Sequence, residues 1–496
     1  MNRGRLLQPP GVSVAALLVF GLALIAGCGE SATGNAPAAA SQPPARVAAR
    51  VPNFDWPLLG LNPQRTDATS QAIGITAQTV RRLHRRVVTL PGTVDSSPIY
   101  LHDVTVLGAR RDVFIMTTTY GKTLAVDAAS GRILWVFTPA TYHSYVGSYR
   151  FTTSTPAADP DRLYVYAAAP DGHIYRLRIA DGREASGSGW PAAITRYPVR
   201  EKITGAINVV GSHVIVATGG YYGDTPPYQG HVVVIDRASG SLLGVFNTLC
   251  SNVHRLLYPP TDCPEYHGSV WARDAVRVLA NGDLLIATGR GHADDHTYFG
   301  NSVLELTADA TQLVRYWTPP DANRRDAEDI DVGSTGPVPT GRGTVLQSGK
   351  DGKLHVVILG NPGREIQTLE APGGSEMIAG YPAIWTRGGQ TTIYLATDSG
   401  GTAAYNVVPN GEIRKVWENS NPGTSPILAG GLLYVYDPAG GLDVYEPSSG
   451  KLITQLPAGR GHWNAPVIVG GRIALPQGNA NDHTTSGILN LYVAPH

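Results

Sequence analysis

The chain has 496 residues with 39 basic and 39 acidic side chains, and only 16% of its residues are charged, so it carries no net field to gather nucleic acid or an anionic membrane. Its 58 glycines and 37 prolines call for a fold rich in turns and exclude a protein of long helices. A length that usually implies several domains is compatible with one if the chain is a closed array in which each repeat adds core with its neighbours.

At the N-terminus, Arg3 and Arg5 precede an apolar run from Gly11 to Ala26 that ends in Ile25-Ala-Gly-Cys28. The run is shorter than the roughly 20 residues a membrane-spanning helix needs, and its charge layout is that of an export signal. Its last four residues resemble a bacterial lipobox, which implies a signal peptide over residues 1–27 and diacylation of Cys28 as the mature N-terminus. Two acyl chains suffice for stable anchoring. The expected location is therefore outside the cytoplasm, on a membrane, facing the periplasm or the cell exterior. Residues 28–52 are Ala-, Pro-, Ser- and Gly-rich and read as a flexible tether.

An entry segment follows over residues 53–79, with a short helix expected between Ile73 and His84 and a strand from Arg85 to Leu90. Next comes Thr123-Leu-Ala-Val-Asp-Ala-Ala-Ser-Gly-Arg-Ile-Leu-Trp-Val-Phe137, read as strand, tight turn and strand. Asp127 can accept backbone amides in an Asx turn, and Gly131 can take positive φ to reverse the chain. Val234-Ile-Asp-Arg-Ala-Ser-Gly240 and Val444-Tyr-Glu-Pro-Ser-Ser-Gly450 repeat the turn, with weaker copies at Gly182, near Thr311, at Gly363 and at Gly411. The 319 residues from Gly131 to Gly450 give a mean step of about 53, just above the roughly 40–50 residues of a propeller blade.

Ala125, Asp127, Gly131 and Trp135, with Ser130 for Thr, resemble the A-x-D-x-x-T-G-x-x-x-W signature of the quinoprotein (PQQ-repeat) β-propeller superfamily. Asp55-Trp-Pro-Leu-Leu-Gly60 and Ser348-Gly-Lys-Asp-Gly352 resemble its entry segment and one of its blade hairpins. An independent series of small-residue starts supports a count of eight: Ser97-Pro98, Thr155-Pro156, Gly205-Ala206, Gly268-Ser269, Gly336-Pro337, Tyr381-Pro382, Ser425-Pro426 and Ala465-Pro466. The last unit supplies only three strands, so the fourth is expected from Arg85–Leu90, removing an exposed edge. The expected fold is all-β: an eight-bladed propeller of four-stranded antiparallel blades over residues 80–496, closed by an N-terminal strand.

Three longer insertions interrupt the pattern, at Tyr142–Phe151, Tyr221–Gly230 and Cys250–Cys263. In an exported chain Cys250 and Cys263 can pair, closing a loop that contributes about 3 kcal/mol in the chain-entropy model.

The strand starts carry Asp95, Thr153, Thr204, His267, Asp331, Tyr381, Thr424 and His462, the natural lining of a central funnel. His462 with Trp463 places a hydrogen-bonding ring beside an aromatic plane, suited to stacking a sugar, a peptide or a flat cofactor, although Trp463 can equally serve inter-blade packing. Asp326-Ala-Glu-Asp329-Ile-Asp331 offers hard oxygen donors, with Asp329 and Asp331 on one face if the segment is extended; the alternative is a loop neutralised by Arg324 and Arg325. His292 and His296, with Asp294 and Asp295, are a weaker metal candidate against an ordinary hairpin insertion.

Dehydrogenases of the resembled type use pyrroloquinoline quinone with Ca2+, and many carry a ring of adjacent cysteines. This chain has no vicinal cysteines and no C-x-x-C-H haem motif. The expected role is accordingly a binding or scaffold module for a protein or small-molecule ligand, with no catalytic residue assigned. The alternatives are a PQQ- and Ca2+-dependent alcohol or sugar dehydrogenase and an outer-membrane assembly scaffold.

Overall fold

The computed structural model describes residues 53–494 apart from 222 and 379; the expected signal peptide, Cys28 and the tether lie outside the described residues. Eight sheets of antiparallel strands follow one another along the chain as eight blades. Blade 1 comprises Ile99–Val106, Ala109–Thr117, Thr123–Asp127 and Ile133–Phe137. The inner strands of blades 2 to 7 begin at Ala157, Asn208, Arg277, Val338, Ala383 and Ile427. Blade 8 consists of Val467–Val469, Arg472–Gln477 and Gly487–Val493, with His84–Leu90 paired antiparallel along its outer edge from His84 opposite Val493 to Leu90 opposite Gly487.

The repeat turn works as its residues require. Asp127 Oδ1 accepts the Ser130 amide at 2.7 Å and the Ser130 hydroxyl at 2.8 Å, and Asp236 holds Ser239 in the same way. Glu446, one methylene longer, bonds the Ser449 hydroxyl. The conserved geometry of Gly and Trp in this turn links successive blades. A Cβ on Gly182 of blade 2 would lie 2.4 Å from the Trp135 ring of blade 1, and one on Gly450 of blade 7 would lie 2.3 Å from Trp417 of blade 6. The two indoles also donate to backbone carbonyls of the following blade, Ile179 O and Pro447 O. Gly131 of blade 1 receives Val88 of the terminal strand of blade 8, so at this joint a valine takes the place of the indole.

Residues 73–84 do not form the expected helix. Gly74 takes φ 75°, Ile73 and Ile75 are buried in the core shared by blades 7, 8 and 1, and only a single 3-10 turn forms, Val80–Arg82, before the strand begins at His84. Burying two isoleucines in an extended stretch outweighs helical propensity here.

The entry segment crosses the inner strands. Trp56 exchanges backbone bonds with Tyr100, Pro57 O accepts from Ala158, Pro63 O from Val278, Thr66 O from Ile384 and Asp67 O from Leu428. Arg65, fully buried, donates to Leu59 O and to Ala206 O and Ile207 O of blade 3. The backbone contacts fall on the second residue of each inner strand they reach, further along the chain than the residues that precede the strands.

Candidate functional site

A cavity of about 540 Å³ opens at the mouth formed by the strand starts. The residue four positions before each inner strand faces it in blades 1, 2, 3 and 8: Asp95, Thr153, Thr204 and Trp463. In blade 4 this position is Arg273, because the inner strand starts at Arg277 rather than just after Gly268-Ser269 as expected. His267 is consequently displaced from the cavity wall. It lies behind it, at φ 86°, with its ring 5.3 Å from that of Tyr228. Tyr381 is also absent from the wall; it is buried deeper against Leu59 and Ala206, its amide on Ser425 Oγ, and burial raises its phenol well above the usual range. Thr424 likewise turns inward, its hydroxyl on Asn464 O.

Asp95 anchors one side. Its carboxylate accepts from Arg273 at 2.6 Å, from the Ala480 amide at 2.9 Å and meets His462 Nδ1 at 2.7 Å. Burial opposes its ionisation, but the Arg273 guanidinium and the His462 imidazole hold it well below the usual carboxylate range. Fixed in this way, the His462 ring stacks on Trp463 with centroids 3.7 Å apart and planes at 24°. The Trp463 ring lies 6.2 Å from that of Trp271, with the Arg273 guanidinium 5.3 Å from the centre of Trp463.

The acidic segment on the other side is not extended. Asp326 belongs to the helix Ala322–Glu328, and Asp329 caps that helix in the left-handed region at φ 57°, which removes the strand alternation assumed for Asp329 and Asp331. The two carboxylates still converge, on Lys350 Nζ at 3.1 and 2.8 Å. Lys350, from the Ser348–Gly352 hairpin, is thus the neutralising cation; Arg324 pairs with Asp321 and Glu328, and Arg325 with Asp321 and Asp351. Burial raises the Asp331 carboxyl, an effect Lys350 opposes. Arg290 sits among Asp224, Asp326 and Asp329 at 3.5, 3.4 and 3.9 Å.

Two of the three insertions build the rim. Phe151 comes from the first, within a cluster with Tyr120, Tyr142, Tyr145 and Ala480; Tyr221, Asp224 and Tyr228 come from the second. The third is closed by the Cys250–Cys263 disulfide, and the segment just after it holds the second, with Gln229 donating to Glu265 O and the His267 amide to Tyr228 O. Lys202, buried to 7% exposure, extends into the cavity with its ammonium 4.2 Å from the centre of the Phe151 ring.

The donor set does not fit calcium. That ion takes six to eight oxygens, whereas the cavity's carboxylates are each in contact with a cation of the protein itself. Among the described residues no group of three or more His, Cys, Asp or Glu side chains is arranged to share an ion. At the weaker candidate, Asp294 is occupied by the amides of His296, Thr297 and Tyr298, and His292 packs on Tyr298; this is a hairpin loop. The aromatic pair suits a flat ligand.

Sequence reading missed Lys202, Trp271, Arg273, Arg290 and the rim aromatics. The four-residue offset before each inner strand would have located Arg273 had the blade 4 start been placed correctly.

Residues 71–245 match a family model described as outer membrane protein assembly factor BamB. A search of curated proteins finds no significant match. Among solved structures, quinohemoprotein alcohol dehydrogenase from Comamonas testosteroni is 15% identical, covering 90% of this chain and 81% of that one, with a TM-score of 0.66. A europium-containing methanol dehydrogenase is 14% identical over 88% of this chain and 98% of that one, also at 0.66. BamB from Moraxella catarrhalis is 14% identical over 83% and 99%, at 0.51. At such identities the likeness is one of fold. The eight blades and these structural matches agree on the fold: the chain is an eight-bladed β-propeller, and its residues 71–245 are similar to the PQQ-repeat family.

Proposed function

We propose that this propeller is an extracytoplasmic binding module, anchored through lipidated Cys28, that holds a small flat ligand in its funnel. The observation that carries the reading is that two of the insertions, which depart from the blade pattern, converge on one mouth and wall it with Phe151, Tyr221, Asp224 and Tyr228 around Trp271 and Trp463. The lipobox-like Ile25–Cys28 supports the anchor. PQQ, a flat polyanion, is a suitable probe. Titrated into the purified protein, it should quench tryptophan fluorescence equally with and without Ca2+, and Trp463→Ala should weaken the response at least tenfold, on the scale of about 1.4 kcal/mol per factor of ten. Dye-linked oxidation of ethanol or glucose appearing only with PQQ and Ca2+ would establish the dehydrogenase instead.

A second reading, a scaffold in outer-membrane protein assembly, is favoured by the family match over residues 71–245. It requires a protein partner that co-purifies with the intact chain and stays bound when Trp271 and Trp463 are replaced.

A further inference from the structure

Among the described residues, Lys202 is a funnel cation whose position the pairing scheme does not account for. The cations Arg273, Arg290 and Lys350 each touch a carboxylate, but among the described residues Lys202 Nζ has neither a hydrogen bond nor an ion pair. It stands on the short strand Glu201–Ile203, which pairs with His213–Gly220. Strand alternation turns its neighbour Glu201 away, onto Thr195 Oγ1 and the Gln229 amide, and leaves Lys202 facing the cavity. Phe151 packs beneath it. Burial, and secondarily the nearby Arg273, lower its amine to about 7, with Asp95 opposing. An amine desolvated beside another cation is the setting that makes lysine a nucleophile at neutral pH.

We infer that Lys202 captures a carbonyl-bearing ligand, a small aromatic aldehyde or ketone acid, as an imine within the funnel. The Nζ lone pair attacks the carbonyl carbon, the C=O electron pair moves to oxygen, and the carbinolamine loses water, which carries away that oxygen and the two amine protons. No oxidant or reductant is consumed. The ligand ring lies against the Trp271 and Trp463 pair. The inference rests on the funnel being a ligand site and adds the chemical class of what it takes.

The chain has six lysines, 122, 202, 350, 353, 415 and 451, of which 353, 415 and 451 are exposed; selective reaction is therefore easy to read. The full chain is incubated with 4-formylbenzoate at neutral pH, any imine is reduced with cyanoborohydride, and the adducts are mapped by peptide mass spectrometry. Lys202 should be labelled roughly tenfold faster than the exposed lysines, with Lys350, held by two carboxylates, among the slowest. Lys202→Arg, which keeps a cation, should remove the fast adduct while leaving the circular dichroism spectrum of the folded protein unchanged. Labelling spread over the exposed lysines with Lys202 untouched overturns the inference. If PQQ quenching persists in that case, imine capture alone has failed; if it too is absent, the binding reading falls with it.

Discussion

At the scale of single residues, Lys202 is a funnel group whose charged form is opposed by burial. Its amine titrates near 7 in the folded protein and near 10.4 in an unfolded chain. Between those values the unfolded chain holds a proton that the folded one lacks, so stability rises with pH from about 7 to about 10, and the burial penalty is complete below pH 7. Lys202→Met should therefore unfold at higher urea than the parent, by about 2 kcal/mol near pH 6, and the gap should close toward pH 10. Asp95, Asp331, His462 and Trp463 were legible in the sequence because they sit just ahead of recognisable strand starts. Arg290 and Lys202 were not, since their roles arise from loops and a short strand that fold back over the mouth, and nothing in local spacing announces that return. His267 was misplaced for a related reason: Gly268-Ser269 imitates a blade start, but the Val270 amide bonds Thr218 O and keeps that stretch outside the true inner strand.

At the scale of the element, the repeat signature is a joint between neighbours rather than a property of one hairpin. Trp135 closes over Gly182 and donates to Ile179 O, so its indole is shared by blades 1 and 2. Trp135→Ala should cost about 3–5 kcal/mol in chemical denaturation, as for other buried large-to-small changes. Gly182→Ala should cost about 2 kcal/mol, since the residue holds φ 71° and a methyl would overlap the indole. Strand order was legible because Asp, Ser and Gly in the turn each have a defined hydrogen-bonding or φ requirement. The supposed helix at residues 73–84 was misread because Ile73, Ile75 and Val80 are apolar for the sake of the blades they cover, not for a helical face.

At the scale of the whole molecule, His84–Leu90 binds the start of the described chain to its end through seven paired positions. Deleting residues through 90 should leave Gly487–Val493 as an open edge; size-exclusion chromatography should show aggregation, and the single thermal transition should broaden. The segment just before this strand has a separate effect. Because residues 56–69 lie across the inner strands at one end, with Arg65 and Arg277 sealed beneath them, the ring is a cup and not a conduit. A ligand held in the cavity would leave by the mouth through which it came, which Phe151, Tyr221 and Tyr228 line.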